Sequence, residues 1–232
     1  MRYLCDPQVI PAVVPYEFSD VAARAEQFSS FAQWLHVDIT DGHFTPDKNW
    51  PLAGMTVLPS GLQYEAHLMT AEPQKIGEAM IRAGAMRLLA HREAFLDDES
   101  ARATLVAWRE AGAREAGLAL LIDTPLAVLD PVIDVCDFVQ LMSIARVGHQ
   151  GEEFDDRALM RVEELHAKYP DIMVCVDGGV SEATVEALVR AGANRLCVGS
   201  AISQSPDPAR SYAAILERAL KGCVPTQTEL AI

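Results

Sequence analysis

Short apolar runs rich in Val, Ile and Leu alternate with longer amphipathic stretches along the whole chain. Eight can be delimited, at residues 8–14, 34–39, 62–69, 86–91, 115–122, 137–144, 172–178 and 195–200. Each is too brief for a helix, and each is followed by a segment able to hold a helix or a short helical turn. Such alternation implies parallel strands joined by right-handed crossovers. Eight units predict an α/β fold, a single closed (β/α)8 barrel of the TIM type, with an open doubly wound sheet as the competing architecture. Two segments, 81–88 and 189–196, are near-copies in which Gly84 and Gly192 stand where a helix ends in the left-handed conformation before the next strand. That repeat reads as architecture rather than chemistry.

Composition narrows the picture. Half of the 232 residues are hydrophobic and 22% are charged, enough for one substantial core, and no Pro/Ser-rich linker divides the chain. One domain over 1–232 is expected. A formal charge of -14 repels a phosphate backbone, so nucleic acid is not an expected partner. The apolar runs fall far short of the roughly 18 residues that suggest a membrane span, and the start lacks a basic segment followed by a long apolar one. Five scattered cysteines with no C-x-x-C pair fit reduced thiols and a cytoplasmic protein.

Strand parity then assembles a candidate site. In 34–39, His36 and Asp38 share one face while Leu35, Val37 and Ile39 share the other. The same alternation puts His67 with Glu65 and Met69, and Asp177 with Cys175. Polar groups near the C-terminal ends of barrel strands converge on the mouth where such barrels place their active sites. A lone H-x-D is ordinarily a hydrogen-bonded strand end. Two His and two Asp from three strands make a costly buried cluster unless something satisfies them. One divalent metal ion does so, and imidazole with carboxylate suits zinc, iron(II), cobalt or manganese alike.

Residues 36–46, reading H-V-D-I-T-D-G-H-F-T-P, resemble the second-strand signature of the ribulose-phosphate 3-epimerases. His67-Leu68-Met69 with Glu72-Pro73, His91-Arg92-Glu93-Ala94, and Val176-Asp177-Gly178-Gly179-Val180 with Ala191-Gly192-Ala193 and Val198-Gly199-Ser200-Ala201-Ile202 follow in family order. The resemblance runs from the second strand to the eighth. It implies a metal held by His36, Asp38, His67 and Asp177, and inversion at C3 of a phosphorylated ketose through an enediolate, with Asp38 and Asp177 as acid and base on opposite faces. D-ribulose 5-phosphate and D-xylulose 5-phosphate are the default pair. Met69 and Met142 match family methionines near the metal and read as packing of the mouth beside the substrate. His91 matches a strand-four histidine, readable equally as a satisfied barrel-end residue or a substrate contact; His43 and His149 are similarly undecided.

For the phosphate, Gly178 and Gly179 lead into Ser181, a candidate N-cap, and Gly199 and Ser200 follow the eighth strand, so backbone N–H groups of both loops could cradle an anion. The chain also departs from the pattern. Pro11-Ala12-Val13-Val14-Pro15 replaces a serine-containing first strand, which removes an implied substrate hydrogen bond. Where the family has N-P-G-F-G-G-Q, this chain reads Ala145-Arg146-Val147-Gly148-His149-Gln150-Gly151, and Arg146 could grip phosphate in place of backbone amides. The competing expectation is a non-catalytic barrel that binds a sugar phosphate or a protein partner; a homo-oligomer is compatible with either. The D-x-K-x-x-D of decarboxylases and hexulose phosphate synthases is absent, because Asp38 stands where the lysine would be.

Overall fold

The computed structural model describes residues 5–49, 57–148 and 150–223. Eight parallel strands close into a barrel in sequence order: β1 (Gln8–Val13), β2 (Trp34–Thr40), β3 (Gln63–Met69), β4 (Arg87–His91), β5 (Glu115–Leu120), β6 (Phe138–Met142), β7 (Met173–Asp177) and β8 (Arg195–Val198). Every predicted apolar run holds one of them, β2 extending one residue past its run to Thr40. β8 pairs back onto β1 from Gln8 against Arg195 to Pro11 against Val198, which rules out the open sheet.

Seven helices are described: α1 (Phe18–Phe28), α2 (Pro73–Ala83), α3 (Asp98–Glu110), α4 (Arg157–Lys168), α5 (Val185–Ala191), α6 (Ser200–Ser203) and α7 (Pro208–Lys221). After β5 the crossover is made by two 3-10 turns, Leu126–Leu129 and Ile133–Val135, where Pro125 and Pro131 interrupt any longer helix. Gly84 and Gly192 close α2 and α5 at φ 111° and 117°, as the repeated segment predicts.

Alternation divides the barrel wall. Leu35, Val37 and Ile39 face outward into one core shared with Phe28, Met80, Leu105, Trp108 and Leu165 of the helices. The barrel interior holds a small separate apolar cluster of Leu89, Ala119, Phe138 and Cys175. Much of the remaining interior is polar.

One expectation fails. Cys5 and Cys223 form a disulfide across 218 residues of sequence, while Cys136, Cys175 and Cys197 are free and buried. Spacing along the chain gave no sign of it because barrel closure brings the segment before β1 beside the end of α7, with the two Cα atoms 5.6 Å apart. The argument from reduced thiols to a cytoplasmic setting does not hold for this pair. No helix among the described residues is long and apolar enough to cross a membrane.

Candidate active site

Strand register stacks the candidate residues side by side. Asp38 of β2 pairs laterally with His67 of β3, and Asp177 of β7 lies beside Met142 of β6 and Cys197 of β8. All four candidate ligands are buried and point inward. One donor atom from each lies within 4.8 Å of the others. His67 Nδ1 is 2.8 Å from Asp38 Oδ1 and 3.5 Å from Asp177 Oδ2. His36 Nε2 is 3.2 Å from Asp38 Oδ1 and 3.9 Å from Asp177 Oδ2. Ligand atoms roughly 2.0–2.2 Å from a shared ion lie roughly 3.0–3.5 Å from one another. The donor set is therefore compact enough to surround one cation.

Its electrostatics point the same way. Asp38 and Asp177 pair with imidazoles alone among the described residues, so two buried carboxylates face each other without an Arg or Lys. Burial opposes a charge on His36, but Cys197 and Asp38 outweigh it and raise its pKa. His67 is raised by the same balance, with hydrogen bonds to Asp177 and Asp38 overcoming burial. Burial would raise Asp38; the His36 charge and the hydrogen bonds from both imidazoles lower it instead. Without a metal, the imidazoles are drawn toward taking up the positive charge.

The surroundings hold the donors in place. His36 Nδ1 donates to Glu65 Oε1 at 2.7 Å, which leaves Nε2 facing the cluster. Asn49 donates from Nδ2 to the Asp38 carbonyl at 2.6 Å, accepts the Thr40 N–H on Oδ1 at 2.8 Å and donates its own N–H to Thr40 Oγ1 at 2.9 Å. It thereby pins the end of β2. Gln140 Nε2 donates to Asp177 Oδ2 at 3.4 Å, and the Ser143 hydroxyl donates to the Asp177 carbonyl at 3.0 Å. Asn49 and Gln140 complete the site although no motif marks them; parity already puts Glu65 on the inward face beside His67 and, extended to β6, would have flagged Gln140.

Above the four donors opens a cavity lined by Met69, Met142, Ala12, Gly178, Gly179, Gly199, Ser200, Gln150 and Glu152, among others. Both methionines are 2% exposed, and Ala12 occupies the altered first-strand position. Gly178 has φ 111° and Gly179 φ 63°; a Cβ would come 2.7 Å from Ile144 Cγ1 in the first and 2.7 Å from the Phe154 backbone nitrogen in the second. Ser181 does not cap a helix. Its carbonyl accepts from Thr184 and Val185 in a turn, and α5 starts only at Val185 after Thr184.

Arg146 stands apart. Its side chain is 73% exposed and donates to Glu152 Oε1 at 2.7 Å, and it borders a neighbouring cavity with Tyr16, Lys48 and Asn49. His43 is exposed in the turn after β2, its N–H donated to Asp41 Oδ1 at 2.8 Å. His91 is buried behind His67, and His149 lies outside the described residues.

Comparison with known proteins decides the family. The profile of the ribulose-phosphate 3 epimerase family matches residues 8–203. The chain belongs to the ribulose-phosphate 3 epimerase family. It is 31% identical over 216 residues to the ribulose-phosphate 3-epimerase of Bacillus subtilis, covering 90% of this chain and 97% of that one. It is 29% identical over 216 residues to the cytoplasmic isoform from Oryza sativa subsp. japonica, covering 90% and 92%. In structure it is similar to 3-hexulose-6-phosphate synthase from Salmonella typhimurium, with a TM-score of 0.70 at 14% identity over 93% of this chain and all of that one. That likeness concerns the fold alone. Family membership places the chain among the isomerases.

Proposed function

We propose that this protein is a metal-dependent epimerase that inverts C3 of a phosphorylated ketose, with D-ribulose 5-phosphate and D-xylulose 5-phosphate as the default pair. The observation that carries this reading is the pair of buried carboxylates, Asp38 and Asp177, brought from distant strands to one set of imidazoles at the mouth. Inversion needs a proton removed from one face of the carbon and another returned to the opposite face. Two acidic groups reaching in from β2 and β7 meet that need.

His36, Asp38, His67 and Asp177 would hold the cation; zinc, iron(II), manganese and cobalt all accept this mixed donor set. Bound there, the cation supplies Lewis acidity toward a ketose carbonyl and its neighbouring hydroxyl. The residues do the rest. Asp38, kept ionised by the imidazoles on either side, takes the C3 proton when the epimer presents it on that face. Asp177 returns a proton from the other face, and the roles exchange for the reverse reaction. Met69 and Met142 exclude water beside the planar enediolate state of the substrate. The phosphate lies against the amides of the loops after β7 and β8, at Gly178, Gly179, Gly199 and Ser200, which line the cavity, the first two glycines at positive φ.

Solvent deuterium incorporation tests the reading. Proton NMR in D2O of ribulose 5-phosphate with metal-reconstituted protein should show loss of the C3 signal and appearance of xylulose 5-phosphate. No exchange with any pentulose or hexulose phosphate tried would leave the non-catalytic barrel, for which the altered loops after β1 and β6 argue.

A further inference from the structure

The two imidazoles of the site are held from behind in different ways. His36 turns Nδ1 directly to a carboxylate, Glu65. His67 turns Nε2 to a second histidine, with His91 Nε2 at 3.0 Å. The two rings lie 5.0 Å apart between centroids, and Phe44 packs on His91 at 4.7 Å, so the pair is confined. His91 Nδ1 in turn faces Glu93 Oε2 at 3.5 Å, and neither atom has a closer hydrogen-bond partner among the described residues. The other Glu93 oxygen is occupied: Oε1 accepts the Leu121 N–H at 2.8 Å and the Thr124 hydroxyl. Glu93 is therefore a fixed acceptor.

Proton placement follows from this order. Two ring nitrogens in hydrogen-bond contact need one proton and one lone pair between them. His67 Nδ1, the atom that faces Asp38 and Asp177, must keep its lone pair to ligate a cation. Its proton then sits on Nε2, His91 Nε2 accepts it, and the His91 proton sits on Nδ1 toward Glu93. We propose that Glu93 and His91 form a relay that fixes the tautomer and ring orientation of His67, so that metal affinity at the mouth depends on a carboxylate two residues removed from the ion. The proposal rests on the metal reading above. Both are positioning residues, and neither lines the substrate cavity.

Zinc affinity, measured by competition with a chromophoric chelator, and the His91 tautomer, read from imidazole nitrogen shifts in the metal-free protein, test the relay. Glu93→Gln is nearly isosteric, yet with its oxygen on Leu121 and Thr124 it points an amide N–H2 at His91. That moves the His91 proton to Nε2, where it displaces the Nε2–H of His67 and leaves the His67 proton on the metal-facing Nδ1. Zinc should bind about 10–100-fold more weakly in Glu93→Gln and His91→Phe, the range expected when a ligand's supporting partner is lost. His91→Gln, whose amide oxygen can accept from His67 Nε2–H, should regain most of that loss. Wild-type zinc affinity in Glu93→Gln and His91→Phe overturns the relay and leaves the metal reading standing. Weaker binding with an unchanged His91 tautomer and a matching fall in the metal-free melting temperature overturns it too, as a purely structural effect. Failure of the wild-type chain to bind zinc overturns the metal reading and the relay together.

Discussion

Both ends of the barrel bury ionisable side chains, and they are balanced differently. At the floor, where the strands begin, Arg87 Nε donates to Glu115 Oε1 at 3.0 Å, Arg195 Nη2 pairs with Glu115 Oε2 at 2.6 Å, and Arg87 Nη1 lies 3.9 Å from Glu65 Oε2. Trp34 packs beneath the Arg87 guanidinium at 3.5 Å, and Phe138 lies near that of Arg195. Two acids and two bases cancel within the chain. At the mouth, the ion-pair partners of Asp38 and Asp177 among the described residues are His36 and His67 alone, and cancellation must come from protons or from a bound cation. A buried charge that the chain neutralises itself is structural. One that it leaves to be neutralised from outside marks a binding site.

Neutralising the mouth should abolish function without harming the fold. Asp177→Asn or Asp38→Asn removes one of two like charges and one proton carrier. Deuterium exchange at C3 should fall on the order of 10²–10⁴-fold in both, and metal-free Asp177→Asn should melt no lower than wild type. Retained exchange in both variants would show that neither carboxylate moves the proton.

Breaking the floor should do the reverse. Arg195→Met strips Glu115 of its 2.6 Å partner and leaves the floor one positive charge short. Urea unfolding should report a loss of about 3–5 kcal/mol, the usual cost of removing one member of a buried ion pair. Metal stoichiometry of the folded fraction should stay unchanged. Equal losses of stability and metal would mean that the two ends form one network through Glu65 and His36, and that the distinction between them is false.

The two ends were not equally legible in the sequence. At the mouth, H-x-D on a short apolar run fixes parity, and a polar pair on an inward face is conspicuous. At the floor, Arg87, Glu115 and Arg195 are the first residues of their strands, where a charge next to an apolar run looks the same as a solvated strand end. Only closure of the barrel turns them toward each other. The same holds for the Cys5–Cys223 pair, and for His91, whose role depends on the ring of His67 from the neighbouring strand. Ser181 was misjudged because its turn extends to Thr184 before a helix begins.

Asp41 connects mouth to loops and gives a pH test. Its Oδ1 accepts the His43 and Phe44 N–H groups at 2.8 and 3.0 Å, and Oδ2 accepts the Ala71 N–H at 2.7 Å. Burial would raise its pKa, but these backbone donors lower it below the usual carboxylate value of 3.8. A depressed folded pKa contributes stability that is fully present above the unfolded value and is lost as pH falls through the folded one. The contribution should thus be constant above about pH 5 and fade below about pH 4. Asp41→Asn should cost about 1–2 kcal/mol at neutral pH, and the difference from wild type should shrink in acid. A difference that stays constant down to pH 3 would show that the charge on Asp41 does not matter.

The smallest expected effect concerns Arg146. The sequence offers it as a replacement for the lost glycine-rich grip, whereas its guanidinium lies on Glu152 at 73% exposure, beside the mouth cavity rather than in it. Glu152 itself borders that cavity, so Arg146 screens a carboxylate from the place where the phosphate would sit. If Gly178, Gly179, Gly199 and Ser200 provide the anion's amides, as proposed above, Arg146→Ala removes a solvent-exposed pair worth about 0–1 kcal/mol. The kcat/KM for ribulose 5-phosphate should therefore fall less than about fivefold, the whole change appearing in KM and weakening as salt is added. A loss of about 1.5–3 kcal/mol, roughly tenfold to a hundredfold or slightly more, would mean that Arg146 leaves Glu152 and closes on the phosphate when substrate binds. Glu152→Gln then separates the two cases: it should ease binding if Arg146 only screens Glu152, and leave binding unchanged if Arg146 holds the phosphate itself.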